Sequence, residues 1–183
     1  HLAAIWLVAI GSSLSALWIL IANSFMQQPV GFAIENGRAV MTSFLALIQN
    51  ANVWVQFPHV IFSGFTTAAF FVMGISAYHL LRGRTEVFKR SFQIAAVFGS
   101  LSILMVILIG HSQAQHMVQT QPMKMAAAEA LWETADPASL SIFTIMDQKT
   151  GENLVDLRIP NVLSLLSYNR LTGEVRGMKD LQA

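Results

Sequence analysis

The sequence predicts an all-α membrane protein: three transmembrane helices, part of a larger helical bundle, followed by a polar extracytoplasmic loop segment. Three observations carry this prediction. Charged residues make up only 11% of the 183 positions, against about 25% in ordinary soluble domains. Hydrophobic residues make up 54% and the mean hydropathy is +0.54. The charges are also unevenly placed: residues 1–123 carry seven of the 21, and the last 60 residues carry the other fourteen, eight acidic and six basic. The boundary in composition falls near Gln113–Lys124. The predicted units are a transmembrane segment over residues 1–111 and an extracytoplasmic segment over residues 112–183.

The first span is read over residues 2–26, "LAAIWLVAIGSSLSALWILIANSFM", which holds no charge. About 20 such residues cross a bilayer core. "QQP" ends it. From Ala39 to Leu81 there is again no charge, too long for one crossing. This stretch divides into a short interfacial piece over 39–50 and a second span over 57–81, with Pro58 in the first helical turn, where its missing N–H does no harm. The third span is residues 91–110, "SFQIAAVFGSLSILMVILIG", with Gly110 as its stop. Residue 1 is His and no charged n-region precedes the first apolar run, so the chain reads as an internal fragment of a longer protein.

The connections set a direction. Residues 82–90, "RGRTEVFKR", carry four Lys/Arg, whereas 27–56 has only Arg38. The positive-inside rule puts 82–90 in the cytoplasm. The third span then runs outward, and residues 112–183 lie outside. In the tail, "QPMKMAAAEALWE" predicts a short helix starting at Pro122 and stopping by Asp136–Pro137. Glu129 and Glu133 then share a helix face, and Lys124 points away from Glu129. "DQKTGEN" predicts a hairpin turn between apolar pieces.

Composition also excludes. There is no cysteine, hence no disulfide or thiolate metal site, and the net charge of +1 gives no sign of nucleic-acid binding. The chain contains no P-loop, GxGxxG, zincin motif or nucleophile elbow.

His59 is the sharpest candidate for chemistry. It lies in "VWVQFPHVIFSGF" with no charge near it, and an ionisable side chain inside a span is costly and marks function by default. Imidazole is a common ligand of haem iron, and Ser63, Gly64, Thr66 and Thr67 make a small-residue face that a macrocycle could approach. The competing reading is an interfacial histidine bonded to a neighbouring helix, since small faces also serve helix packing. On span one, Ser12, Ser15 and Asn23 fall near one face. They line a polar path, contact a haem propionate at the Asn23 end, or make interhelical hydrogen bonds. His79 reads as interfacial. His111 and His116, five apart, form only a weak metal motif. Trp6, Trp18 and Trp54 read as belt residues or haem neighbours. On residues alone, Lys124 and Glu129 belong to an ordinary solvated helix.

"GSSLSALWILIANSFMQQPVGF" (11–32), "FPHVIFSGF" (57–65), "MGISAYHLLRGR" (73–84), "KRSF" (89–92) and "KMAAAEALWET" (124–134) resemble subunit I of the cytochrome bd-type ubiquinol oxidases, in order and with near-family spacing. The resemblance implies a nine-helix membrane subunit of which this chain holds the fourth to sixth helices and the start of the outer Q loop. It implies oxidation of ubiquinol or menaquinol at the outer face of the bacterial plasma membrane and reduction of dioxygen to water. The family's cofactors are a low-spin haem b, a high-spin haem b and haem d, and its partner is subunit II. The resemblance makes His59 an axial ligand of the low-spin haem b, with a methionine outside this chain opposite it. Lys124 and Glu129 fall on the quinol-oxidation positions of the Q loop, and Ser15 falls near the internal channels. The remaining haem ligands lie outside this chain, so the fragment alone is expected to be inactive. The family's acidic, Gly-rich stretch after the third span is here "GHSQAQ". The rival reading is a non-catalytic or transporter-like helical subunit with His59 as a packing residue.

Overall fold

The computed structural model describes residues 1–182. It is mostly helical, with three helices long and apolar enough to cross a membrane: α1 (Leu2–Gln27), α3 (Ala51–Leu81) and α4 (Phe88–Thr120). Between α1 and α3 come the strands β1 (Phe32–Glu35) and β2 (Arg38–Met41) and the short helix α2 (Phe44–Ile48). After α4 follow α5 (Pro122–Ala128), β3 (Leu140–Asp147), β4 (Glu152–Ile159), α6 (Val162–Tyr168) and α7 (Met178–Gln182). The chain divides into two compact units, His1–Gly110 and His111–Ala183.

In the first unit the long helices expose most of their large apolar side chains, Ile5, Trp6, Phe70, Phe71 and Ile107 among them. Only 6% of the apolar window of α1 is buried, so lipid or further helices must cover these faces. α1 and α3 are joined at one end by polar side chains. Asn50 donates from Nδ2 to the carbonyl of Gln28 at 2.9 Å, Asn52 Nδ2 donates to Gln28 Oε1 at 3.3 Å, and Gln56 Nε2 donates to Gln27 Oε1 at 3.1 Å. α3 and α4 meet where Gly99 leaves room for Ala69.

Several element boundaries correct the sequence reading. The second long helix begins at Ala51, not at 57, because Asn50 caps it by accepting from the Asn52 amide at 3.0 Å. Pro58 is therefore inside the helix, where it has no N–H to give to the Trp54 carbonyl. Gly110 does not stop α4. The helix runs ten residues further through "HSQAQHMVQT", and ends where Pro122 disfavours helical backbone for Gln121. Residues 39–50 are not a single interfacial piece but the β2 strand followed by α2. The β1–β2 hairpin turns at Asn36–Gly37, both left-handed (φ 51° and 75°), the pairing a tight I′ turn requires. The alanine-rich helix α5 stops at Ala128, well before Asp136. Ala130 is left-handed (φ 50°), the Leu131 amide returns to the Ala126 carbonyl and the Ala130 amide to Ala127, the Schellman pattern. Glu129 and Glu133 accordingly do not share a helix face.

The second unit has its own core, built from Val118, Met125, Ala126, Leu131, Ala138, Leu163, Val175 and Met178. The hairpin predicted at "DQKTGEN" is present: β3 pairs antiparallel with β4 from Leu140↔Ile159 to Asp147↔Glu152, and the Gly151 amide closes the turn on the Asp147 carbonyl at 3.0 Å. The start of α7 lies against residues 131–134, with the Met178 amide on the Leu131 carbonyl and the Lys179 amide on that of Trp132, both 2.9 Å. This approach needs Gly177. A Cβ there would overlap the backbone of Glu133 and lie 2.6 Å from the Thr134 nitrogen. Gly177→Ala is expected to destabilise this unit by about 1–3 kcal/mol, the usual cost of overpacking a closed contact. Faster limited proteolysis of the tail in the full-length protein checks it; an unchanged rate would show that the closure tolerates a methyl group.

Candidate functional site

His59 is the ninth residue of α3, about 12 Å along the axis from its start at 1.5 Å per residue. The side chain is half-buried. Its Nδ1 is buried and has no hydrogen-bond partner. The Nδ1–Cε1 edge lies against Gly110: a Cβ on that glycine would sit 3.2 Å from Cε1 and 3.6 Å from Nδ1. Beyond His59, Ser63 donates to the His59 carbonyl, Thr66 to Phe62 and Thr67 to Ser63. These hydroxyls are thus satisfied by their own helix, which leaves an apolar face. Beside Gly64 there is open space.

The other polar residues of the first unit are placed as follows. Ser12 donates to the Ala9 carbonyl of its own helix. Ser15 is exposed and Asn23 half-buried. The side of α1 that is buried carries Ile21 and Ser24 instead. His79 stacks on Phe88 with ring centres 4.1 Å apart, at the end of α3 remote from His59.

In the second unit, Lys124 lies on an exposed side of α5. Glu129 is not within the helix but caps its C-terminus. Its Oε2 accepts from the Ser141 amide at 2.8 Å. Its main-chain carbonyl accepts from Arg158 Nη2 at 2.9 Å, as does that of Ala130. Arg158 is ion-paired with Asp156 at 2.7 Å. Asn153 donates to Asp156 Oδ2 and to the Ala130 carbonyl, and accepts from Trp132 Nε1. This network borders a cleft of about 430 Å³. His111 Nε2 lies 2.7 Å from Asn169 Oδ1 and 3.3 Å from Gln115 Nε2. Sequence reasoning missed Ser141 and Arg158, and read Gly110 only as the stop of the third span. A signal existed for one of them, since Asp156 and Arg158 are two apart on a strand and so share a face.

Burial raises the affinity of Asp156 for a proton, but the hydrogen bonds from Arg158, Asn153 and Thr144 and the charge of Arg158 outweigh it, and its carboxyl is held below 3.8. Asp180, bonded by the Thr134 hydroxyl and amide, is lowered as well. Burial, then the nearby Glu174 and Asp136, push the Tyr168 phenol above 10.0, so it stays protonated and donates to the Glu174 carbonyl at 2.6 Å. Because its folded value is depressed, Asp156 stabilises the tail fully above 3.8 and loses that contribution as pH falls through the lower, folded value. Tail proteolysis of the full-length protein is therefore expected to accelerate below about pH 4. Asp156→Asn should raise the rate at neutral pH and flatten this acid rise; an acid rise of the same size in the variant would remove Asp156 as its source.

A model of the family described as cytochrome bd terminal oxidase subunit I matches residues 1–183. The chain belongs to this family. It is 50% identical over 185 residues to cytochrome bd ubiquinol oxidase subunit 1 of Bacillus subtilis (strain 168), a match covering 100% of this chain and 40% of that protein. It is 44% identical over 187 residues to cytochrome bd-II ubiquinol oxidase subunit 1 of Escherichia coli (strain K12), covering 100% of this chain and 36% of that protein. The structure superposes on that of bd oxidase from Geobacillus thermodenitrificans with a TM-score of 0.85 at 31% identity, over 99% of this chain and 42% of the other. The chain thus spans about two fifths of the length of these cytochrome bd relatives. With its three apolar helices, it is a multi-pass membrane segment of bacterial type.

Whether residues of this cytochrome bd chain fit a haem is decided by the donors it offers. Among the described residues no group of three or more His, Asp or Glu could hold a bare ion. One imidazole on an apolar face suits a haem instead, because the macrocycle fills the in-plane positions and the protein need add only axial ligands. A buried, unpartnered ring nitrogen costs about 1–3 kcal/mol, an expense a purely structural histidine would avoid by bonding a neighbour. His59 and its surroundings fit.

Proposed function

We propose that the chain is part of the catalytic subunit of a cytochrome bd-type quinol oxidase, which oxidises ubiquinol or menaquinol at the outer membrane face and passes electrons toward reduction of dioxygen to water. His59 would hold the iron of the low-spin haem b. The chemistry such a haem supplies is one-electron acceptance from quinol. Lys124 and Glu129, on the Q loop, act on the quinol: the ammonium holds a quinol oxygen, and the carboxylate takes a proton as the quinol is oxidised. Ser15 and Asn23 on α1 line the polar path, Asn23 toward a haem propionate. Residues 82–90 are cytoplasmic and residues 112–183 extracytoplasmic, so protons released from quinol add to the gradient. Subunit II and the lipid bilayer cover the apolar faces; a high-spin haem b and haem d, held outside this chain, would supply the chemistry of dioxygen reduction.

The observation that carries this reading is the half-buried imidazole of His59, whose Nδ1 is buried without a hydrogen-bond partner, in a chain that matches the family model over its whole length. The test of the quinol half is quinol oxidation by Lys124→Ala and Glu129→Ala in the full-length oxidase. Loss of quinol oxidation with the haem spectrum retained supports it; full activity in both variants ends the assignment.

A further inference from the structure

Glu129 is gripped at both of its acceptor groups by two residues that face each other across one hairpin. Ser141 and Arg158 are register partners in the β3–β4 ladder. Ser141 gives its amide to the carboxylate at Oε2, 2.8 Å away. Arg158 gives Nη2 to the main-chain carbonyls of Glu129 and Ala130, each at 2.9 Å. The last carbonyls of a helix lack intrahelical partners and favour a cation, and α5 ends at this point. Two of the three remaining donors of the guanidinium are committed to the hairpin itself, one on Nη1 to the Ser139 carbonyl at 3.3 Å and Nε to the Asp156 carboxylate at 2.7 Å. The Arg158 side chain is only 17% exposed. It is thus a fixed fork joining the hairpin to the end of α5. A lysine, as a point charge, cannot reproduce such a fork.

We propose that Arg158 is a positioning residue for Glu129: through Arg158 and Ser141 the hairpin sets the direction of the carboxylate, holding Oε2 and presenting Oε1 to the quinol hydroxyl. This rests on the reading of Glu129 as the proton acceptor in quinol oxidation. It assigns to the hairpin, 29 residues further along the chain, the task of aligning the acceptor rather than of touching the substrate. A small misplacement of such a group costs about 10²-fold in rate.

The test uses the complete oxidase and four variants: Glu129→Gln, Arg158→Ala, Arg158→Lys and the double variant Glu129→Gln/Arg158→Ala. Arg158→Ala should lower kcat for quinol oxidation about 10- to 100-fold, with KM within about twofold and the low-spin haem b spectrum unchanged. Arg158→Lys should recover part of the loss. The double variant should be no slower than Glu129→Gln alone, because a misaligned carboxylate that is already gone cannot be lost twice. Full rates in Arg158→Ala, or multiplicative losses in the double variant, would overturn the inference. If Arg158→Ala does not accumulate, the lysine variant decides, together with a fifth variant, Glu129→Gln/Arg158→Lys: wild-type kcat in Arg158→Lys refutes the positioning role, and a reduced kcat in Arg158→Lys with no further loss in Glu129→Gln/Arg158→Lys beyond Glu129→Gln upholds it. An unimpaired Glu129→Gln would instead remove the reading of Glu129 itself.

Discussion

Alanine at position 59 is expected to abolish quinol-driven oxygen consumption by the complete oxidase and to remove its low-spin haem b spectrum. Even outer partners of metal ligands cost about 10–100-fold when lost, so loss of the ligand should cost at least as much. Little is available to replace it on the same helix. His79, 20 residues on in α3, is about 30 Å away along the axis, and its ring is stacked on Phe88. The alternative, in which His59 is packing material in a structural or transporter-like subunit, predicts a different outcome: Gly110 loses a neighbour, stability falls, and the spectrum remains. Measuring the reduced-minus-oxidised spectrum together with oxygen uptake separates the two.

The second large effect concerns the proposed quinol site. Glu129→Gln keeps an acceptor for the Ser141 amide, so the local geometry is retained while the proton acceptor is removed. General-base catalysis contributes about 10²–10⁴-fold, and kcat for quinol oxidation should fall within that range with haem content unchanged. Lys124→Ala should act mainly on KM. A charge-assisted hydrogen bond contributes about 1.5–3 kcal/mol, which corresponds to about tenfold or more in affinity. Titration of both variants with quinol reads the split. A wild-type kcat in Glu129→Gln would exclude its carboxylate as the acceptor.

The membrane part was legible because its signal is global: a bilayer demands a long uncharged run, and residues 2–26, 57–81 and 91–110 supply it. His59 stood out for the same reason, as one ionisable ring in such a run. Boundaries were less legible because they depend on single side chains. Asn50 starts α3 six residues before the expected point, and α4 passes through Gly110 because a lone glycine in a helix costs only about 1 kcal/mol. The Asn36–Gly37 hairpin carried a recognisable turn signal that the surrounding hydrophobicity obscured. The proposed quinol site was the least legible. Lys124 and Glu129 became candidates through family resemblance alone, and the bond from Arg158 to the Glu129 carbonyl leaves no local pattern, since it exists only once the hairpin folds back on α5.

The most direct measurement is the nitrogen hyperfine coupling on the low-spin ferric haem b of the complete oxidase, produced with isotopically labelled histidine. A strong coupling to labelled imidazole nitrogen is expected in the wild type, and its disappearance together with the low-spin signal in His59→Ala. A low-spin signal that keeps its histidine coupling in His59→Ala would contradict haem ligation at this position.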